Sequence, residues 1–224
     1  MAIKKTITKK EVQVPANTVK LGGILTLAPQ ARGIVLFAHG SGSSHKSPRN
    51  QQISQCLVDA GFGTLLFDLL TLDEEKEDMM TRELRFNIPF LSYRLSLATE
   101  WAQEQFKMNI GYFGASTGAA AAIMSASELG SKISAVVSRG GRPDLAGESL
   151  ARITVPTLLI VGGADYGVIE LNKSAYEMMS CVKKLEIVPN ATHLFEEPGT
   201  LEEVGKMATH WFEEYTHPSP NFSF

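Results

Sequence analysis

The hydrophobic positions of the chain change rhythm near residue 33. Before it, Val12 and Val14 alternate with polar neighbours as far as Pro15. After the Pro15-Ala16-Asn17 turn come Val19 and Leu21, the pair Gly22-Gly23, and the run Ile24-Leu25-Thr26-Leu27. Alternating and β-branched positions mark half-buried strands. The segment predicts an antiparallel hairpin or meander at one sheet edge, with a second strand before the glycine pair and a third after it.

From residue 34 the apolar positions become contiguous. Ile34-Val35-Leu36-Phe37-Ala38, Thr64-Leu65-Leu66-Phe67, Ile110-Gly111-Tyr112-Phe113, Ile133 to Val137, Thr157 to Val161 and Leu185 to Val188 are short runs of the kind that strands covered by helices on both faces require. Helical spacing occupies the intervals: Pro48 to Ala60, Ile88 to Phe106, Thr117 to Leu129, Val168 to Met179 and Leu201 to Tyr215. Residues 69–85 are less regular. Their acidic run Asp73-Glu74-Glu75-Lys76-Glu77-Asp78 is expected to be a solvated helix face or loop without a chemical role.

Alternation of strand and helix without an internal repeat or linker predicts a single α/β domain over 1–224, with a loosely held tail at 217–224. The 224 residues suffice for one substantial domain but scarcely for two. Hydrophobic residues at 44% and charged residues at 20% are ordinary globular values, so no disulfide or structural metal is needed to hold a core. Cys56 and Cys181 lie far apart, outside any metal-ligand spacing, and are expected to be free thiols. A net charge of −3 gives no reason to expect nucleic acid or an anionic membrane as a partner. The N-terminal segment lacks the apolar block of a signal peptide, and no stretch approaches a membrane span. A cytoplasmic location is the default expectation, and a homodimer is left open.

The chemistry concentrates at Gly114-Ala115-Ser116-Thr117-Gly118, a G-x-S-x-G pentapeptide with an apolar strand running in and a helix running out. That context is what a nucleophile elbow requires. The serine sits on a strained turn so tight that side chains two residues either side would collide with it. The following Ala119-Ala120-Ala121-Ala122 keeps the helix close to the sheet. A serine hydroxyl needs a base, and the base needs an orienting acid. His193 is the only histidine between Ser116 and the final helix, and it lies in a loop just past a strand. Asp165 follows the strand ending at Val161 through Gly162-Gly163-Ala164, at the carboxyl end where α/β sheets place functional groups. The rival acid is Asp144, in Arg139-Gly140-Gly141-Arg142-Pro143-Asp144, which is expected to cap or to pair with an arginine. Asp165 could itself be no more than a helix N-cap. For an oxyanion hole, one N–H is expected from Thr117 and the other from the loop after His39-Gly40, at Ser41 with Gly42 as the alternative.

The set His39-Gly40-Ser41-Gly42, Gly114-x-Ser116-x-Gly118, Gly162-Gly163-x-Asp165 and His193 resembles the α/β-hydrolase superfamily over nearly the whole chain. The short length, with no segment long enough for a large lid, resembles the dienelactone-hydrolase-like branch. The resemblance implies a mostly parallel central sheet with an antiparallel N-terminal edge, helices on both faces, and little or no lid. Dienelactone hydrolase proper uses a cysteine nucleophile where this chain has Ser116, which moves the expectation from a dienelactone to an ordinary carboxylic ester.

Arg49, Arg85, Arg139 and Arg142 lie in loops or at element ends, and if two or more converge they could hold a substrate carboxylate or phosphate. Asp68, at a strand end, is expected to organise loops near the site or to cap. The expected function is hydrolysis of small esters through an acyl-enzyme on Ser116, with His193 as base and Asp165 as its partner. No metal or organic cofactor is implied, and a small-molecule ester is the expected partner. Thioesterase, peptidase and acyltransferase chemistry on the same triad stays open, as does a catalytically silent hydrolase fold used for binding.

Overall fold

The computed structural model describes residues 6–216, so the expected loose tail at 217–224 lies outside the described residues. In chain order the strands are β1 (Thr8–Ala16), β2 (Val19–Leu27), β3 (Ile34–Ala38), β4 (Gly63–Phe67), β5 (Ile110–Ala115), β6 (Ile133–Arg139), β7 (Thr157–Gly162) and β8 (Lys183–Val188). The helices are α1 (Pro48–Asp59), α2 (Leu72–Thr81), α3 (Ile88–Gln105), α4 (Thr117–Leu129), the single turn α5 (Ser149–Arg152), α6 (Tyr166–Met178) and α7 (Thr200–Tyr215).

All eight strands join one sheet in the order β1-β2-β4-β3-β5-β6-β7-β8. The contiguous apolar runs have a direct cause in this arrangement. β3, β4, β5 and β7 are buried along their entire length, because helices cover both faces. One layer sets Leu91, Leu95, Ala98, Ala120, Ile123 and Met179 against the sheet, and the other sets Ile53, Leu57, Val204, Ala208 and Phe212 against it. Each fully buried Leu, Ile, Val, Phe or Met among them contributes roughly 1.5–3 kcal/mol of transfer free energy. The pairings from β4 to β8 are parallel, while β1-β2 and β2-β4 are antiparallel. The fold is thus a mostly parallel α/β sheet with an antiparallel N-terminal edge.

One expectation fails at that edge. Val19 to Leu27 is a single strand that passes straight through Gly22-Gly23, not two strands split by a turn. The glycines serve close approach instead. Gly23 pairs with Phe67 of β4, and a Cβ on it would stand 2.7 Å from the Leu66 carbonyl oxygen and 2.9 Å from Cβ of Phe67.

The acidic run also differs from its expectation. It forms α2, and two of its carboxylates are structural. Glu74 closes a capping box with Thr71, each side chain accepting from the other's backbone N–H, and also pairs with Arg94 of α3 at 2.7 Å. Asp78 is buried and accepts from both the backbone N–H and Nε of Arg85, the latter at 2.6 Å. These contacts fix α2 and the 3-10 turn Leu84–Phe86 against α3. No described helix is long and apolar enough to cross a membrane.

Candidate active site

Ser116 stands where β5 turns into α4, with φ 50° and ψ −120°. A non-glycine residue in this region costs of order 1–3 kcal/mol and persists only where its surroundings impose it. The surroundings are tight. A Cβ on Gly118 would lie 2.1 Å from the carbonyl oxygen of Ala38 and 2.5 Å from that of His39, so only glycine lets α4 start against the end of β3. The backbone is also tied to β6. Ser116 donates its N–H to the carbonyl of Arg139 at 3.4 Å, and its own carbonyl accepts from the N–H of Arg142 at 3.1 Å.

His193 and Asp165 come from two loops at the same sheet edge. Nδ1 of His193 is 2.7 Å from Oδ2 of Asp165. A carboxylate accepts from Nδ1–H, which leaves Nε2 as the acceptor of the neutral ring. Asp165 is the N-cap residue of α6, yet its side chain makes no capping hydrogen bond, so the carboxylate serves the imidazole and not the helix. Asp144 is occupied elsewhere. Arg142 grips it in a two-point pair, Nε to Oδ1 at 2.9 Å and Nη2 to Oδ2 at 2.7 Å. Two residues with positive φ, Asn190 and Phe195, bracket the histidine loop, and the Phe195 ring is fully buried beneath it.

The loop after β3 forms the opposite wall. Its turn is closed by the Ser43 N–H donating to the Gly40 carbonyl at 3.2 Å, with Gly42 at φ 67°. Gly40 packs on the nucleophile so closely that a Cβ there would stand 2.9 Å from Cβ of Ser116. The Oγ atoms of Ser41 and Thr117 are 3.2 Å apart, so the two residues expected to supply oxyanion donors are neighbours.

Sequence reasoning assigned no role to His39 beyond marking this loop. The structure gives it one. The Leu69 N–H donates to Nε2 at 3.0 Å, so Nδ1 carries the proton and donates to the Gly40 carbonyl at 2.9 Å. Burial pushes the His39 pKa below its ordinary value, and the bond to the Gly40 carbonyl only partly opposes it. The neutral ring therefore pins the loop to the end of β4. Asp68 does organise a loop, accepting from the backbone N–H of His45 at 2.8 Å and lying 2.7 Å from its Nδ1.

Two cavities flank the loop. One, of about 170 Å³, is lined by Ser116, His193, Arg49, Arg139 and Ser47 among others. The second, of about 130 Å³, runs under α2 and is lined by Leu69, Leu70, Met79, Leu91, Arg85 and Thr117 among others. Of the four arginines, for which the sequence leaves open either convergence on an anion or pairing with surface acids, Arg49 and Arg139 reach the cavity that holds Ser116. Arg85 and Arg142 are committed to Asp78 and Asp144, because each has a carboxylate within a few residues that claims its fork. Among the described residues, no group of three or more His, Cys, Asp and Glu is arranged to hold a metal ion.

A parallel sheet crossed by helices, with a strained serine at the β5–α4 turn and a His-Asp pair on the neighbouring loops, defines an α/β-hydrolase. The chain belongs to the dienelactone hydrolase family, whose sequence model matches residues 22–216. A dienelactone hydrolase from Anabaena variabilis is 50% identical and superposes with a TM-score of 0.92, over 94% of this chain and 99% of that one. Est1E from Butyrivibrio proteoclasticus shares the fold at 15% identity, with a TM-score of 0.77 over 91% of this chain and 98% of its own. A protein of Mycobacterium tuberculosis provisionally named a phosphoribosyl transferase is 52% identical over 209 residues. That match takes in 92% of this chain but 46% of the relative, so the chain spans about half the length of the curated relatives it matches.

Proposed function

We propose that the protein is a serine hydrolase that cleaves small carboxylic esters through an acyl-enzyme. The observation that carries this reading is the 2.7 Å contact of His193 Nδ1 with Asp165 Oδ2, in a histidine that shares a cavity with the strained Ser116. In the proposed cycle Ser116 Oγ attacks the ester carbonyl while His193 Nε2 takes its proton, and Asp165 stabilises the imidazolium. The backbone N–H groups of Thr117 and Ser41 receive the oxyanion. His193 then protonates the departing alkoxide and activates the water that frees the acid. None of these steps calls for a metal or an organic cofactor. The cavities, about 170 and 130 Å³, suit a short acyl or alcohol portion better than a lipid chain. The transferase name belongs to a relative of which this chain matches less than half, and the site gives it no separate support.

The test is covalent labelling with a fluorophosphonate probe, read by peptide mass mapping alongside hydrolysis of p-nitrophenyl acetate. Adduct on Ser116, lost together with esterase activity in Ser116→Ala, is the expected result. An unlabelled Ser116, or residual activity within about tenfold of wild type in Ser116→Ala, overturns the reading, since triad members act as a unit.

A further inference from the structure

The cavity beside Ser116 gathers positive charge that the triad does not use. Arg139, at the end of β6, is only 7% exposed, yet its Nε and Nη1 have no hydrogen-bond partner in the protein. Its nearest support is the face of Phe195, 5.9 Å from the guanidinium carbon. Arg49 lines the same cavity with its Nε buried and unpartnered, while its Nη1 reaches outward to the exposed Glu196 at 3.0 Å. Buried donors are satisfied almost without exception in folded proteins, and one left unmatched is destabilising, the more so on a charged group.

The placement of Arg49 deepens the imbalance. It sits in the first turn of the twelve-residue α1, where the helix dipole presents positive potential and no acidic residue offsets it; Pro48 has no N–H and Ser47 Oγ caps the Asn50 N–H, which leaves the Arg49 N–H as the first-turn donor. Ser47, the N-cap of that helix, also lines the cavity. Burial, and next the charge of Arg49, push the Arg139 guanidinium down to about 10, still protonated at neutral pH. Three sources of positive potential thus converge on one desolvated space without an anion among the residues that line it.

We propose that Arg139, Arg49 and the N-terminus of α1 form a phosphate subsite beside Ser116, so that the preferred ester carries a phosphomonoester group next to the scissile carbonyl. The assignment rests on the serine-hydrolase reading for the scissile bond, but the subsite itself does not. The number of donors selects phosphate over carboxylate. The three unpartnered nitrogens carry four N–H bonds on two guanidiniums, and a phosphomonoester offers three terminal oxygens and a charge of about −1.5 to −2 at pH 7. A carboxylate would fill the Arg139 fork and leave the buried Nε of Arg49, whose Nη1 already pairs with Glu196, unmatched.

Inorganic phosphate is the probe, compared with acetate at matched ionic strength, by thermal shift and by inhibition of p-nitrophenyl acetate hydrolysis. Phosphate is expected to raise the melting temperature and to inhibit competitively, while acetate at the same concentration does neither. In Arg139→Gln the phosphate Kd and Ki are expected to rise at least tenfold, with the unliganded melting temperature equal to or above wild type because a buried, unpaired charge is gone. Arg49→Gln, on the helix rim, is expected to weaken phosphate in the same direction with the fold intact. Equal effects of acetate and phosphate, no effect of either, or unchanged phosphate binding in both variants overturns the proposal. The thermal shift needs no turnover, so phosphate binding by a protein without esterase activity would discard the serine reading and keep the subsite.

Discussion

Arg142 holds both oxygens of Asp144, whereas Asp165 turns its carboxylate to Nδ1 of His193. The two acids end adjacent β-strands and are the two candidates for orienting the base, so their partners separate their roles. Asp165→Asn is expected to lower kcat by about 10⁴, because the amide favours the wrong tautomer and cannot stabilise the imidazolium. Asp144→Asn, which keeps one acceptor for Arg142 and has no contact with His193 to lose, is expected to leave kcat within about threefold of wild type. Steady-state kinetics of both variants on one ester decide the matter, and a severe loss in Asp144→Asn with a mild one in Asp165→Asn would reverse the assignment.

The strain at Ser116 predicts an inverse relation between activity and stability. With φ 50° and ψ −120°, any side chain there is held against its preference. Ser116→Gly is therefore expected to be inactive and more stable than Ser116→Ala by about 1 kcal/mol, the strain relieved less the extra entropy of an unfolded glycine. Urea unfolding of the two variants measures the difference, and greater stability in the alanine variant would refute strain at this turn.

His39 predicts a pH dependence of stability. Its folded pKa lies below the ordinary 6.5 because the ring is buried. In the interval between the folded and unfolded values the unfolded chain binds more protons, so stability rises with pH there. The contribution is fully present above pH 6.5 and is lost as pH falls through the folded value. Melting temperatures recorded from pH 7.5 down to 5 are expected to decline, and His39→Gln, which can still donate to Gly40 and accept from Leu69, is expected to flatten the decline. An equal decline in that variant would assign the effect to other groups.

Acyl preference follows from the roof. The second cavity, lined from α2, the 3-10 turn Leu84–Phe86 and Leu91 of α3, holds about 130 Å³, so the apolar length on offer is short. Across acetyl, butyryl, octanoyl and palmitoyl esters, kcat/KM is expected to peak at acetyl or butyryl, since discrimination resides in that ratio. A peak at octanoyl or longer would mean that the roof opens.

Where burial alone decides conformation, the sequence was readable. β3, β4, β5 and β7 are covered on both faces, and their apolar runs mark them to within two residues. The elbow was readable because its glycines answer a steric demand made within a few residues. Gly22-Gly23 misled for the converse reason: what they accommodate is β4, more than forty residues away, and local propensity takes such a pair for a turn. The arginines divided on partners that periodicity does not reveal, Asp78 for Arg85, Asp144 for Arg142 and none for the buried nitrogens of Arg139. His39 escaped notice because its function is two hydrogen bonds to backbone atoms, which leave no trace in residue type.

The loop Gly40-Ser41-Gly42-Ser43 faces both cavities, and the two sides differ in sign. On one lie Leu69, Leu70, Met79 and Leu91 with Asp68, Glu75 and the Asp78–Arg85 ion pair; on the other lie Arg49 and Arg139. A substrate with one greasy end and one anionic end would therefore lie across the loop in a single sense, since the reversed pose would set its anion against carboxylates and its hydrocarbon against guanidinium groups. In a molecule with two ester groups, that polarity would dictate which of them meets Ser116, making the enzyme regioselective without a single contact devoted to telling the two carbonyls apart.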